Sequence, residues 1–130
     1  MSRRRFAIIG HRAISSGKLP LNDIAGIGGR MDVLLRAVNS ALFLSHGIRK
    51  EVSVVLHLMG GDGPPRRIKF EGRDLRGLHS DERAIAGHVA KILQEPLPPI
   101  GIFSELGNGL SHSGGDIGNT ISEWIKDGIE

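Results

Sequence analysis

"RMDVLLRAVNSALFLSHGIRKEVSVVLHLMG", residues 30–60, changes its hydrophobic period midway, and that change decides the fold. In its first half Met31, Leu34, Leu35, Val38, Ala41 and Leu42 recur at the three-and-four spacing of one helix face, bracketed by Gly29 and Gly47. On the opposite side Asp32, Arg36 and Ser40 stand four apart, with the acid N-terminal to the arginine, the favourable order for a helical ion pair. From 51 to 60 the residues become almost continuously apolar, as in a strand covered on both faces. A helix that hands over to such a strand is the unit of an α/β sheet.

The flanking segments extend the same pattern. "RRFAIIG" (4–10) is a β-branched run closed by glycine, a predicted strand, and 11–28 is a Gly/Pro-marked loop. After the turn "GGDGPP", "RRIKFEG" (66–72) alternates and predicts a second, more exposed strand. "HSDERAIAGHVAKIL" predicts a helix over 80–93, with Ser80 as N-cap and Asp81 and Glu82 facing the positive end of its dipole; "EPLPP" stops it. "IGIF" (100–103) reads as a short strand, 104–119 as a Gly/Ser-rich loop, and "NTISEWIKDG" as a helix. That last helix shows capping-box spacing from Thr120 to Glu123 and a stop at Gly128, and Ile129 and Glu130 read as the start of another strand. Two parts follow: 1–95, an α/β part facing a substrate, and 96–130, a Pro/Gly-rich loop with a short strand and a helix.

A chain of 130 residues, 39% hydrophobic and 24% charged, is the size and composition of one globular domain. It has no cysteine, which excludes a disulfide scaffold, cysteine-ligated zinc and thiol chemistry. The apolar run after "MSRRR" is too short for a signal peptide, and no stretch reaches membrane-span length, so an unexported, cytoplasmic protein is expected. Charge is unevenly spread: residues 1–76 carry fourteen Lys or Arg against six acids, and residues 77–130 three against eight, so +8 and −5 give the net +3. The basic part is mostly arginine, suited to bidentate phosphate contacts, and points to a polyanionic partner.

Other chemistry is thinly represented. "GIGGR" (26–30) lacks dinucleotide-binding spacing and "GNGLSHSGG" lacks the Lys and Ser/Thr of a P-loop, which leaves an anion nest at 26–29 as the remaining phosphate reading. Six scattered histidines form no metal-ligand pattern, so no metal is expected, and His57, inside the apolar strand, reads as a hydrogen-bonded structural group. Four Phe, one Trp and no Tyr disfavour base stacking on a sheet face. His46, Arg49 and Lys50 follow the long helix closely, where cations offset its negative end; three charges exceed what a dipole requires, and a phosphate-contacting edge becomes credible.

Four separated segments, "FAIIGHRA" (6–13), "GRMDVLLRAVNSALFLSHGIRKEV" (29–52), "IKFEGRDLR" (68–76) and "SDERAIA" (80–86), closely resemble in order and spacing the N-terminal half of a known family. That family is the archaeal tRNA pseudouridine N1-methyltransferases, the TrmY-like members of the SPOUT superfamily. The resemblance implies a SPOUT-like open α/β sheet with helices on both faces and a C-terminal trefoil knot. It implies a homodimer that moves a methyl group from S-adenosylmethionine to N1 of a T-loop pseudouridine in tRNA. In such enzymes the cofactor is held near the C-terminus by a Gly-Asp-His turn and a Cys-containing strand; this chain has neither, and "GGDIGN" (114–119) lacks the histidine. The cofactor site and the knot are therefore expected to lie outside these 130 residues, the front part of a longer protein.

By matched position the resemblance implies that Arg12, Arg30, Arg36, His46, Arg49 and Lys50 contact RNA, with Asp32 and Arg83 orienting them. Asp32 is also the one candidate base for the pseudouridine N1 proton. Two readings from other classes stay open: a non-catalytic RNA-binding or dimerisation module without a cofactor site, and a small-nucleotide binder that uses the Gly-rich loops.

Overall fold

The computed structural model describes residues 4–26, 28–44, 47–61, 63–76 and 82–128, without the side chains of Leu44 and Glu82. His46, Ser80 and Asp81, and with them the N-cap expected for the second helix, lie outside the described residues. The period change at residue 43 is real: helix α1 (Met31–Leu42) stops there, and the next residues form the ribbon of β2 (Phe43–Leu44) and β3 (Gly47–Ile48). Strand β1 (Arg4–Ile14) precedes the helix and strand β4 (Val52–Gly60) follows the ribbon. β1 and β4 are parallel neighbours, so β1–α1–β4 is a crossover unit.

Alternation along β4 assigns the two faces of the sheet. Val52, Val54, Leu56 and Leu58 join Met31, Leu34, Leu35, Val38 and Leu42 of α1 in the main core. Ile85, Ala86, Val89, Ile92 and Leu93 of helix α2 (Glu82–Leu93) complete it. Each of these Val, Leu, Ile and Met side chains contributes about 1.5–3 kcal/mol by leaving water. Ser53, Val55 and His57, also buried, face the other way. There they meet helix α3 (Ile117–Lys126), which His57 touches through Thr120. Helices therefore cover both faces, as expected.

The C-terminal third departs from the expectation. Strand β5 (Arg66–Glu71) is interior, antiparallel to β4 on one side and to β7 (Leu110–Gly114) on the other, and Arg66, Arg67, Ile68 and Phe70 are buried. The predicted exposure fails because the Gly/Ser-rich stretch folds back as a hairpin of β6 (Ser104–Gly107) and β7, with Asn108 and its flanking glycines in the left-handed region. The sheet order is β1-β4-β5-β7-β6. "IGIF" makes only one bridge, Ile100 to Gly114, and leaves Ile100 and Ile102 exposed. The capping box of α3 lies one turn earlier than its sequence spacing suggests. Asp116 accepts from the Asn119 amide at 3.1 Å, and the Asn119 side chain accepts from the Asp116 amide at 2.9 Å. Thr120 and Glu123 are thereby released for contacts with the sheet.

Candidate nucleic-acid interface

The carboxyl ends of the two parallel strands carry the first basic cluster. Arg12 sits near the end of β1, where its carbonyl group is approached by both Gly29 and Gly60. A Cβ on Gly29 would fall 1.8 Å from that oxygen, and its φ of +72° is itself left-handed, so no side chain fits between Arg12 and the start of α1. Arg30, the next residue, is also left-handed at φ 65° and takes the N-cap position without a side-chain cap. The chain thus enters α1 with the Arg30 side chain turned onto Asp32, an ion pair of 3.2 Å. Arg36, one turn on, reaches the same carboxylate oxygen at 3.7 Å, the helical pair anticipated from the spacing. Asp32 is only 8% exposed while both guanidinium groups are largely in solvent, so one buried acid gathers two exposed cations. Its other oxygen, Oδ1, is buried with no hydrogen-bond partner.

The remaining predicted contacts lie elsewhere. Arg49 and Lys50 are at the other end of α1, which at 1.5 Å per residue is roughly 18 Å long. They do not sit in its last turn, which contains no basic residue; the Arg49 amide instead donates to the Leu42 carbonyl, so the expected offset of the helix dipole is met by backbone. Lys50 is exposed and Arg49 half-buried. Arg83 is exposed at the start of α2. The structure therefore brings Arg30, Asp32 and Arg36 together at one end, with the Arg12 backbone beside Gly29, and separates Arg49 and Lys50 from them.

Two arginines of the strand expected to be more exposed are internal. Arg66 donates to the carbonyls of Ser15 (2.7 Å), Glu95 (2.8 Å) and Ile92, and to Nδ1 of His112 (3.1 Å). It fastens the carbonyl end of α2 to the segment after β1. Burial pushes the His112 imidazole below its ordinary value, and the Arg66 charge pushes the same way, which agrees with Nδ1 acting as acceptor. Arg67 holds both oxygens of Glu123 at 2.9 and 3.0 Å and the Thr120 hydroxyl at 3.1 Å. His57 Nδ1 must donate to the Ile8 carbonyl at 3.0 Å, so Nε2 accepts from Thr120 at 2.7 Å. Burial is the main cause that lowers the His57 pKa. The structural reading of His57 holds.

On the α3 face of the sheet, a hollow of about 400 Å³ lies between Arg5, Lys69, Arg73, Phe103 and Trp124. Arg5 stacks over Trp124 at 5.8 Å and pairs with Asp127 at 3.1 Å, and Arg67 stacks over Phe103 at 4.8 Å. Sequence reasoning missed this hollow because its walls come from distant segments, Arg5 of β1, Lys69 of β5 and Trp124 of α3 among them, that only the folded sheet and α3 bring together. The lone Trp124 in a helix with a polar stripe was the one available signal.

Among the described residues, the amides of the first Gly-rich segment are engaged within the turn itself. The amides of Gly26, Gly28, Gly29, Arg30 and Met31 all donate to groups between Asp23 and Gly26, which overturns the anion-nest reading. The stretch 114–119 is spent on the cap of α3, and Gly115 packs against Asn119 and the Arg67 guanidinium. The paired amides of Gly28 to Met31 and of the Asp116–Asn119 cap do not fit a role in holding S-adenosylmethionine. Among the described residues no group of three or more His, Asp or Glu could hold a metal, and no described helix is long and apolar enough to cross a membrane.

Known proteins resemble this chain closely. A protein of Methanospirillum hungatei is 44% identical over 118 residues, 91% of this chain and 60% of its own length. One of Methanosarcina acetivorans is 41% identical over 125 residues, 96% of this chain and 52% of its own. One of Haloarcula marismortui is 49% identical over 98 residues, 75% and 48%. All three are named tRNA (pseudouridine(54)-N(1))-methyltransferase. The chain spans about half to three-fifths of the length of these relatives. Residues 3–97 match the family described as "Putative SAM-dependent RNA methyltransferase". That match takes in both basic clusters and the strands that carry them, and this chain belongs to that family.

Proposed function

We propose that this chain forms the tRNA-binding side of a methyltransferase that moves a methyl group from S-adenosylmethionine to N1 of pseudouridine 54, the reaction named for its relatives. The observation that carries this reading is the pairing of two exposed arginines on one buried acid beside Arg12, at the carboxyl ends of parallel strands. Ligands of open α/β sheets bind at such ends. Held by Asp32, the exposed guanidinium groups of Arg30 and Arg36 lose less side-chain freedom on binding phosphate.

Asp32 acts as a positioning residue for these arginines. Its burial keeps it from a substrate proton, and a base must come within hydrogen-bond reach of the proton it takes. Arg49 and Lys50 form a second phosphate contact beyond the far end of α1, with Arg83 as a further exposed cation and His46 outside the described residues. The cofactor is supplied by a part of the protein outside the two Gly-rich segments. By the family resemblance, the protein is a cytoplasmic homodimer with a knotted SPOUT fold.

Competition binding tests the reading. A hairpin with the tRNA T-arm sequence should displace labelled tRNA from the chain at lower concentration than a hairpin of equal length with a shuffled loop. Equal displacement by both would leave only non-specific polyanion binding.

A further inference from the structure

We propose that the hollow on the α3 face of the sheet is a binding site for one unpaired nucleotide of RNA, its base against Trp124 and Phe103 and its phosphate on Lys69 and Arg73. It rests on the reading of this chain as an RNA binder, and it adds a site on the sheet face opposite α1 to the cluster gathered by Asp32.

The hollow exists because one helix is too narrow for the sheet. A helix about 10 Å across covers two strands spaced about 4.8 Å apart. α3 lies over β4 through Thr120 and over β1 through Trp124, and it reaches β5 through the Glu123–Arg67 pair. Pairing register sets the floor beyond it: Val55, Lys69 and Ser111 stand side by side on β4, β5 and β7, with Ser53 beside Glu71 in the next row. A sheet face built to receive another helix is apolar. Lys69, Glu71 and Ser111 make this floor polar and charged, so it suits a polar occupant.

Two of the few aromatic rings turn into this space. Arg5 lies over Trp124 at 5.8 Å, and Phe103 carries Lys69 at 5.5 Å and Arg67 at 4.8 Å. Both rings are half-buried and line the hollow, so part of each stays open to it. Rings for bases with cations for phosphates is the combination that holds single-stranded nucleic acid. Composition argued against stacking because it does not show that residues 103 and 124 converge. Two acids of the lining are already matched, Glu123 by Arg67 and Asp127 by Arg5. Glu71, beside Lys69 and Arg73, adds an acceptor that suits the N–H edge of a base.

The hollow is joined to the basic turn beyond the far end of α1. Gly72 packs so closely on that turn that a Cβ there would collide with the Arg49 and Val52 carbonyl oxygens, and Arg73 follows it into the lining. Lys50 and Arg4 are exposed on either side of Glu51, whose carbonyl accepts from the Arg4 amide. Cations thus lead from the turn to the mouth of the hollow, a path for a nucleic-acid backbone. A volume of about 400 Å³ is that of a site for one small group and excludes a duplex, so the nucleotide that enters is splayed from its neighbours. A second hollow of about 490 Å³ shares Lys69 and Arg73 and continues to Asn108 and Ser111, which lets the strand leave over the β6–β7 hairpin.

Trp124 is the single tryptophan, so its fluorescence reports occupancy of the hollow. The probe is an unstructured RNA of about ten nucleotides, titrated at low salt, with binding followed in parallel by the anisotropy of a label on the RNA. Saturable quenching of Trp124 is expected, and a duplex of the same length should bind without it. Lys69→Ala and Arg73→Ala should each raise the Kd for quenching at least ~5-fold, whereas Lys91→Ala, which removes the same charge from the exposed side of α2, changes it less than ~2-fold. Arg73 is exposed, so its variant carries the test should Lys69→Ala fail to fold. RNA binding without a change in Trp124 emission overturns the site, as do equal quenching by the duplex, an unaltered Kd in Arg73→Ala, or no binding of the single strand. Binding of tRNA that prefers the T-arm sequence but leaves Trp124 emission unchanged would sink the hollow alone. Quenching by the single strand without any such preference would sink the T-arm reading alone.

Discussion

The hydroxyl of Thr120 lies 2.7 Å from Nε2 of His57, a contact between residues 63 apart that fixes α3 on the sheet. The same oxygen accepts from Arg67. One hydroxyl thus joins an imidazole that can only accept at that nitrogen to a guanidinium that can only donate. Thr120→Val keeps the shape and removes both bonds. Urea denaturation should show a loss of about 1–3 kcal/mol, the penalty for buried groups left without partners. Thr120→Ser should recover most of it, and a valine variant as stable as wild type would show that the contact contributes nothing.

Stability should fall in mild acid. Burial, assisted by the neighbouring Arg67 and Arg66 charges respectively, lowers the folded pKa of His57 and His112 below 6.5. Between the folded value and 6.5 the unfolded chain binds more protons, so the stabilisation is complete above 6.5 and is lost as pH falls through the folded pKa. Each histidine adds a slope of up to about 1.4 kcal/mol per pH unit in that window. Urea midpoints from pH 8 to pH 5 check this. In His112→Asn, where an amide oxygen can replace Nδ1 as acceptor for Arg66, the slope should decrease by up to one proton's worth.

Arg66 and Arg36 should differ sharply. Arg66→Ala strips partners from three carbonyls and His112 in the interior and should cost about 3–5 kcal/mol, as measured by thermal or urea unfolding. Arg36→Ala removes an exposed cation 3.7 Å from its acid and should change stability by less than about 0.5 kcal/mol. Similar losses in the two variants would contradict the assignment of one as internal and the other as exposed at the surface.

The contrast between these two arginines also shows what local sequence carries. Helix α1 and strand β4 were legible because periodicity reports which face is buried: Leu34, Leu35 and Val38 mark a helix stripe, and Val52 to Leu58 an unbroken apolar run. The Asp32–Arg36 pair was legible because both partners lie on one helix. Arg66 and Arg67 were not, since a buried arginine is defined by acceptors 26 to 56 residues away and its own neighbours do not announce them. The β6–β7 hairpin was hidden for a related reason. Ser111, His112 and Ser113 have weak strand preference, and it is pairing with β5 that makes them a strand. Arg12, Arg30 and Arg36 were named together from sequence, but that one buried acid gathers two of them depends on the left-handed turn at Gly29 and Arg30.

The most direct measurement is the salt dependence of tRNA binding. Plots of log affinity against log salt concentration for the wild-type chain, Arg30→Ala and Arg36→Ala report how many phosphates each residue neutralises. The slope should become shallower by about one in each variant, with affinity reduced at low salt and unfolding midpoints near wild type. Slopes equal to wild type in both folded variants would mean that the arginines gathered by Asp32 do not touch the nucleic acid.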